Sequence, residues 1–139
     1  MAYSLKAAVK TLAGIGSADT VWDSDIDNTH IPMADREIDL YLQDAGAAVP
    51  LVVMPAIIAD ISALLAASLW WEARITVLEP AAAGQEASKR SYLRKRALEM
   101  LKQYIAFTYS ENVDLDRIDH ALDDFYIIYP RDYSTADGK

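Results

Sequence analysis

The chain of 139 residues contains no cysteine, which excludes disulfides and thiolate metal sites and leaves the redox compartment unread. Histidine is scarce too. His30 and His120 stand far apart in sequence, each without a spaced partner, and a surface helix position beside carboxylates accounts for His120 in RIDHALDD. The opening MAYSLKAAVKTL lacks an apolar signal-peptide core, so a cytosolic product is expected. Internal repeats and low-complexity tracts are missing. Basic residues are outnumbered, 13 Lys and Arg to 21 Asp and Glu, for a net charge of −8. A pI of about 4.6 weighs against broad nucleic-acid binding, unless a ring or dimer gathers copies of a basic patch on one surface.

Catalytic motifs are equally thin. Ser62 and Ser68 lie in an apolar stretch without the glycine pattern of a nucleophile elbow. GIGSAD follows no strand and lacks the third glycine of a dinucleotide fingerprint. The run Asp23, Asp25, Asp27, Asn28 imitates the start of a calcium loop. Such a loop needs glycine at its sixth position and glutamate at its twelfth, where this chain has Asn28 and Ala34. The run reads as a solvated acidic loop, or one that docks on a basic neighbour; no metal and no cofactor are expected.

What is present describes one domain. At 53% hydrophobic and 24% charged residues, the chain has enough apolar surface for a core and too little charge for disorder throughout. The stretch Val49 to Trp71 is nearly uncharged and long enough to suggest a membrane span. Pro50 and Pro55 split its first third and Asp60 interrupts it, so a helix buried at the centre of a helical domain is the better reading. Helices are expected over Ser4–Ala13, with Leu5, Ala8, Val9 and Leu12 inward and Lys6 and Lys10 outward; over Pro32–Ala45; and from Pro55 to before Pro80. A fourth is expected over Gln85–Phe107, and a short fifth after Asp114 carries Leu115, Ile118, Leu122 and Phe125. Gly14 and Gly16 stop the first helix and Gly46 the second. Residues 14–30 read as a loop, the segment before Pro55 as extended, and Glu79–Ser88 as a flexible connection. The architecture expected is mainly α: a small bundle of four to five helices over residues 1–124, with an extended C-terminal arm over 125–139.

Two segments point to partners. Between Gln85 and Gln103, the six basic residues Lys89, Arg90, Arg94, Lys95, Arg96 and Lys102 face two acids, Glu86 and Glu99. That segment carries +4, so the rest of the chain carries −12. The plain reading is the wet face of an amphipathic helix. The other reading is an interface, because few acids stand at i±4 to pair within the helix and surplus acid lies elsewhere. Trp70, Trp71, Glu72 and Arg74 suggest that the third helix emerges at a surface or interface near its end. The tail is the second segment. Tyr126, Ile127, Ile128, Tyr129 and Tyr133 favour a strand that adds to a neighbouring chain or lies in a groove on it, the alternative being packing on their own domain.

The order of elements resembles the head–tail connector proteins of long-tailed phages, also called head-completion or adaptor proteins. The features that carry the resemblance are Ile38, Asp39, Tyr41 and Leu42 in REIDLYLQDAG, and the run from Pro55 through Ile58. It covers roughly residues 2 to 107, on hydrophobic positions and helix starts. It implies a non-enzymatic virion protein of the neck region, made in the host cytoplasm. Copies would form a ring, commonly of twelve, beneath the portal protein, extend the DNA channel without sequence-specific binding, and offer a platform for the tail or next connector protein. Terminal arms would reach the portal or an adjacent subunit. The long loop after Gly14 and the aromatic tail depart from many members. Two other readings stand beside it: a helical DNA-binding or regulatory module using the basic helix, and a small enzyme built on carboxylates such as a buried Asp60 with Glu72.

Overall fold

The computed structural model describes residues 2–75, 80–109 and 115–128, with side chains described over 2–74, 89–109 and 115–123. Among the described residues there are five helical runs and no strand, the small helical bundle expected. Helix α1 spans Lys6–Ala13 and ends where Gly14 takes φ +82°, a left-handed conformation that costs an L side chain energy. Its buried face differs from the one that Leu5, Ala8, Val9 and Leu12 predict. Val9, Lys10 and Ala13 turn inward, while Leu5 and Leu12 stay exposed. Lys10 is the reason. It is only 5% exposed, and its ammonium donates to the carbonyls of Ser17 (3.3 Å) and Asp19 (2.6 Å) and to Asp23 Oδ1 (2.9 Å). A lysine can be buried once its donors are matched, and this one fastens the following loop to α1.

Helix α2 is a continuous run of three pieces: Asp23–Asp25, a wide π-type turn over Ile26–His30, and Ile31–Asp44. The helix therefore begins nine residues before Pro32, within the expected loop. Asp23 and Asp25 sit in its first turn, where negative charge suits the positive end of the helix. Pro32 lies inside the run. Its ring would crowd the carbonyl four residues back, at Asn28, and the wide turn there makes room. Gly46, at φ +90°, follows the end of the helix, as expected.

Helix α3, Ala56–Ile75, is the centre of the bundle: every residue from Ile61 to Ser68 is buried. It is long and apolar enough to cross a membrane, yet most of it is covered by this fold. Ala63, Ala66 and Ala67 let α4, Pro80–Thr108, approach closely, and α3 packs more extensively on α4 than on any other helix. Leu93, Ala97, Leu98, Leu101 and Ile105 supply the α4 side. Pro80 fits a first turn, where its missing N–H leaves nothing unpaired. The stretch 80–88, expected as a connection, therefore belongs to α4.

Helix α5, Asp116–Ile128, buries Ile118 and Leu122 and is held by ion pairs from Arg117 to Asp44 (2.8 Å) and from Lys102 to Asp119. Tyr126, Ile127 and Ile128 continue this helix instead of forming a strand, so the arm does not begin at 125. A helix already nucleated by Leu115, Ile118 and Leu122 overrides their local β preference. Tyr129 and Tyr133 lie outside the described residues.

The N-terminus is pinned to the same core. Tyr3 N–H donates to Asp35 (2.9 Å), its hydroxyl donates to Asp39, and it accepts from Leu51 N–H (2.9 Å). Burial, reinforced by Asp39, pushes the Tyr3 hydroxyl up to about 12. Ser62 of α3 donates to Asp35 (2.6 Å) and lies 2.8 Å from the Ser4 hydroxyl. One polar network thereby joins the N-terminus, α2, α3 and the 46–55 connection.

Candidate functional site

The basic segment lies on α4, and the fold divides its charges. Arg94 donates both arms of its guanidinium to Glu37 on α2, at 3.0 and 2.6 Å, while Tyr41 donates to the same carboxylate at 2.9 Å. Burial opposes the charge on Arg94, but the hydrogen bonds and charge of Glu37 outweigh it and hold the guanidinium above its ordinary value. Arg94 is thus a strut between helices within the chain. Arg90 reaches Glu72 at 3.4 Å, and Lys102 pairs with Asp119. Lys95 is half-buried.

An outer stripe remains on α4. Lys89, Tyr92, Arg96, Glu99, Gln103 and Phe107 follow one another at three- and four-residue spacing, all exposed. Tyr92 is 64% exposed and Phe107 89%. The sequence reading named Lys89 and Arg96 but missed the two aromatics. Their shared spacing with Arg96 was the available signal.

Trp70 and Trp71 are 5% and 9% exposed, so they do not emerge at a surface of the single chain as expected. They form the inner wall of a cluster at the C-terminal end of α3. Trp22, which precedes α2, meets Trp70 edge-on at 5.3 Å between ring centroids, and Trp70 meets Trp71 in the same manner at 4.8 Å. Arg74, one turn beyond Trp70, lays its guanidinium 4.9 Å from the Trp70 centroid, 5.5 Å from Trp71 and 6.0 Å from Trp22. Lys89 of α4 lies 4.8 Å from the Trp71 centroid.

Beside this cluster is a cleft of about 240 Å³ lined by Trp22, Asp25, His30, Trp70, Ala73 and Arg74. A second cleft of about 260 Å³ shares His30 and Ala73 and adds Thr29, Met33, Leu69 and Glu72. Four buried polar atoms here have no hydrogen-bond partner: His30 Nδ1, Trp70 Nε1, Trp71 Nε1 and Arg74 Nε. Each such group costs roughly 1–3 kcal/mol relative to being satisfied. Burial holds the His30 imidazole below its ordinary value, with Asp25 opposing, so the ring favours the neutral form. Sequence reasoning missed Trp22, and it named His30 and Arg74 without placing them together. Only the spacing of Trp70, Trp71 and Arg74 on one helical turn was legible.

The remaining candidates resolve simply. Asp60 is exposed, so the buried carboxylate required by the enzyme reading is not there, and Glu72 serves Arg90. Asp35 is the carboxyl that burial does raise, against the hydrogen bonds from Ser62 and Tyr3 N–H, and those partners hold it in the core network. Ser68 donates to Leu65 O at 2.7 Å within its own helix. The acidic run docks on a basic neighbour: Asp23 meets Lys6 and Lys10, and Asp27 meets Lys6. Among the described residues no three His, Asp or Glu side chains converge as a metal site. Comparison with known proteins finds no matching family model, no matching curated protein and no matching solved structure.

Proposed function

We propose that this chain is a non-catalytic assembly protein, a head–tail connector that rings the underside of a phage portal. It extends the DNA channel and presents a platform to the next tail component. The observation that carries the reading is the outer stripe of α4. Once Arg90, Arg94 and Lys102 are paired within the chain, Lys89, Tyr92, Arg96 and Phe107 remain at the surface. Two large aromatics standing in water among cations suit contact with an acidic neighbour, and the chain outside the basic segment is strongly acidic. The resemblance over residues 2 to 107 gives that neighbour its form, another copy or the portal. A channel wall that is acidic or mixed lets phosphates pass, so the α4 stripe belongs at a subunit contact and not in the lumen.

The same pairing weakens the DNA-binding alternative, because three of the six basic residues already neutralise carboxylates. The test is the native mass of the chain alone and after mixing with portal rings. Stable attachment is expected, and Arg96→Glu combined with Tyr92→Ala should prevent it. Normal attachment by that double variant would overturn the assignment of the stripe.

A further inference from the structure

We infer that the loop tip formed by Val52 and Val53 of one copy seats in the cleft between α2 and the end of α3 of the next, joining copies head to tail. The inference rests on the reading of the chain as an assembly protein and gives the contact between copies its residues, which differ from those of the α4 stripe. Val52, at 91%, is the most exposed large hydrophobic residue among the described residues, and Val53 beside it is 80% exposed. Pro50, also exposed, and Pro55 flank the pair. No charged residue stands between Asp44 and Asp60. Leu51, just before the tip, donates its N–H to the Tyr3 hydroxyl at 2.9 Å, which fastens the loop to the core. Two β-branched side chains on a proline-stiffened, anchored loop lose little freedom on docking, and apolar groups gathered in water mark a contact site.

The two clefts that share His30 and Ala73 supply the complementary surface. Trp22 and Trp70 wall the first, and Met33 and Leu69 wall the second. Two of the charged groups in their lining are already engaged, Glu72 with Arg90 and Arg74 on the indole rings, so the space suits an uncharged apolar group. Reach decides that the tip and the cleft belong to different copies. Val52 lies four residues before Ala56, the start of α3, a span of at most about 14 Å even fully extended. Leu69 and Trp70 lie about 20 Å further along the helix axis, so a chain cannot fill its own cleft. A tip at one end of α3 and a cleft at the other make a heterologous contact, the kind that closes into a ring when the rotation allows. A lipid surface is the weaker partner, because the uncharged loop offers no cation to anionic headgroups in a chain of −8.

The test is sedimentation of the full chain, without portal, over a range of concentrations. Mass should rise with concentration, and tryptophan emission should shift over the same range, because Trp22 and Trp70 wall the cleft. Val52→Asp combined with Val53→Asp should weaken association at least about tenfold, since the apolar contact is lost and the added carboxylates meet Asp25 and Glu72. Met33→Asp should weaken it from the cleft side. All three positions are exposed, so the far-ultraviolet circular dichroism of both variants should match that of the unmodified chain. Mixed together, the two variants have one intact tip and one intact cleft between them, and should form a one-to-one pair that grows no further. A chain that stays monomeric at millimolar concentration, a tip variant that associates normally, or a mixture that stays unpaired would each overturn the inference. So would a chain that binds phosphatidylglycerol vesicles through Val52 and Val53 without associating with itself. Association kept by the tip variant but lost by Arg96→Glu with Tyr92→Ala would overturn it in favour of the α4 stripe. Self-association by tip and cleft without portal attachment would instead overturn the connector role and leave this contact standing.

Discussion

Arg94 and Glu37 show how one side chain changes meaning between sequence and structure. In the sequence Arg94 is one of six cations; in the fold it forks onto Glu37 across two helices, with Tyr41 completing the carboxylate. Arg94→Ala should therefore destabilise the protein by about 2 kcal/mol, read from urea unfolding, since Glu37 would be left partly buried without its cation. Arg94→Lys should recover only part of that, because an ammonium lacks the fork. His30 gives the second residue-level expectation. Burial lowers its folded pKa below the ordinary 6.5, with Asp25, Glu72 and Arg74 the charged groups lining the same clefts. The unfolded chain then takes up the proton first, so the stability contributed is whole above 6.5 and is lost as pH falls toward the folded value. Asp35, whose pKa is raised by burial, acts with the opposite sign: its contribution is complete below 3.8 and is lost as pH rises through its folded value. The urea midpoint should fall on acidification through the His30 window, and His30→Gln should flatten that slope. The Arg94–Glu37 pair was not readable in advance, because a partner 57 positions away leaves no local trace.

At the scale of the element, helix existence was legible and helix faces were less so. The apolar run after Pro55 is a buried helix because it is hydrophobic on every side, a property that composition alone reveals. The face of α1 was misread because Lys10 counts as polar in any periodicity, while three acceptors from the next loop and α2 allow it inside. The tail was misread for a related reason: Tyr126 to Ile128 prefer strand locally but extend a helix that tertiary packing has begun. The alanines of α3 set the distance to α4. Ala66→Leu should force the two helices apart and cost about 1–3 kcal/mol, read as a lower thermal midpoint, whereas a Leu at exposed Ala56 should change little. Gly14→Ala should cost about 1 kcal/mol in the same assay, since its φ is positive.

For the molecule as a whole, the question is which surfaces the fold leaves for others. The +4 segment within a chain of −8 read as either a wet amphipathic face or an interface. Folding removes Arg90, Arg94 and Lys102 into pairs and leaves a narrower stripe of Lys89, Tyr92, Arg96 and Phe107. If that stripe joins copies or reaches a portal, raising salt from 0.05 to 0.5 M should weaken attachment only modestly. The exposed aromatics supply much of the contact, and the few exposed cations supply the salt-sensitive part. A steep loss measured by sedimentation would point to charge alone and count against the aromatic stripe. The sequence by itself determined the helical class, the buried third helix, the glycine stops and the division of charge, because these follow from composition and from periodicities a few residues long. Only the tertiary structure decided which cations are free, that Lys10 lies inside, and that Trp22, His30, Trp70 and Arg74 surround one cleft. Those outcomes depend on contacts between distant segments, and no local pattern encodes the acceptor that will meet a given donor.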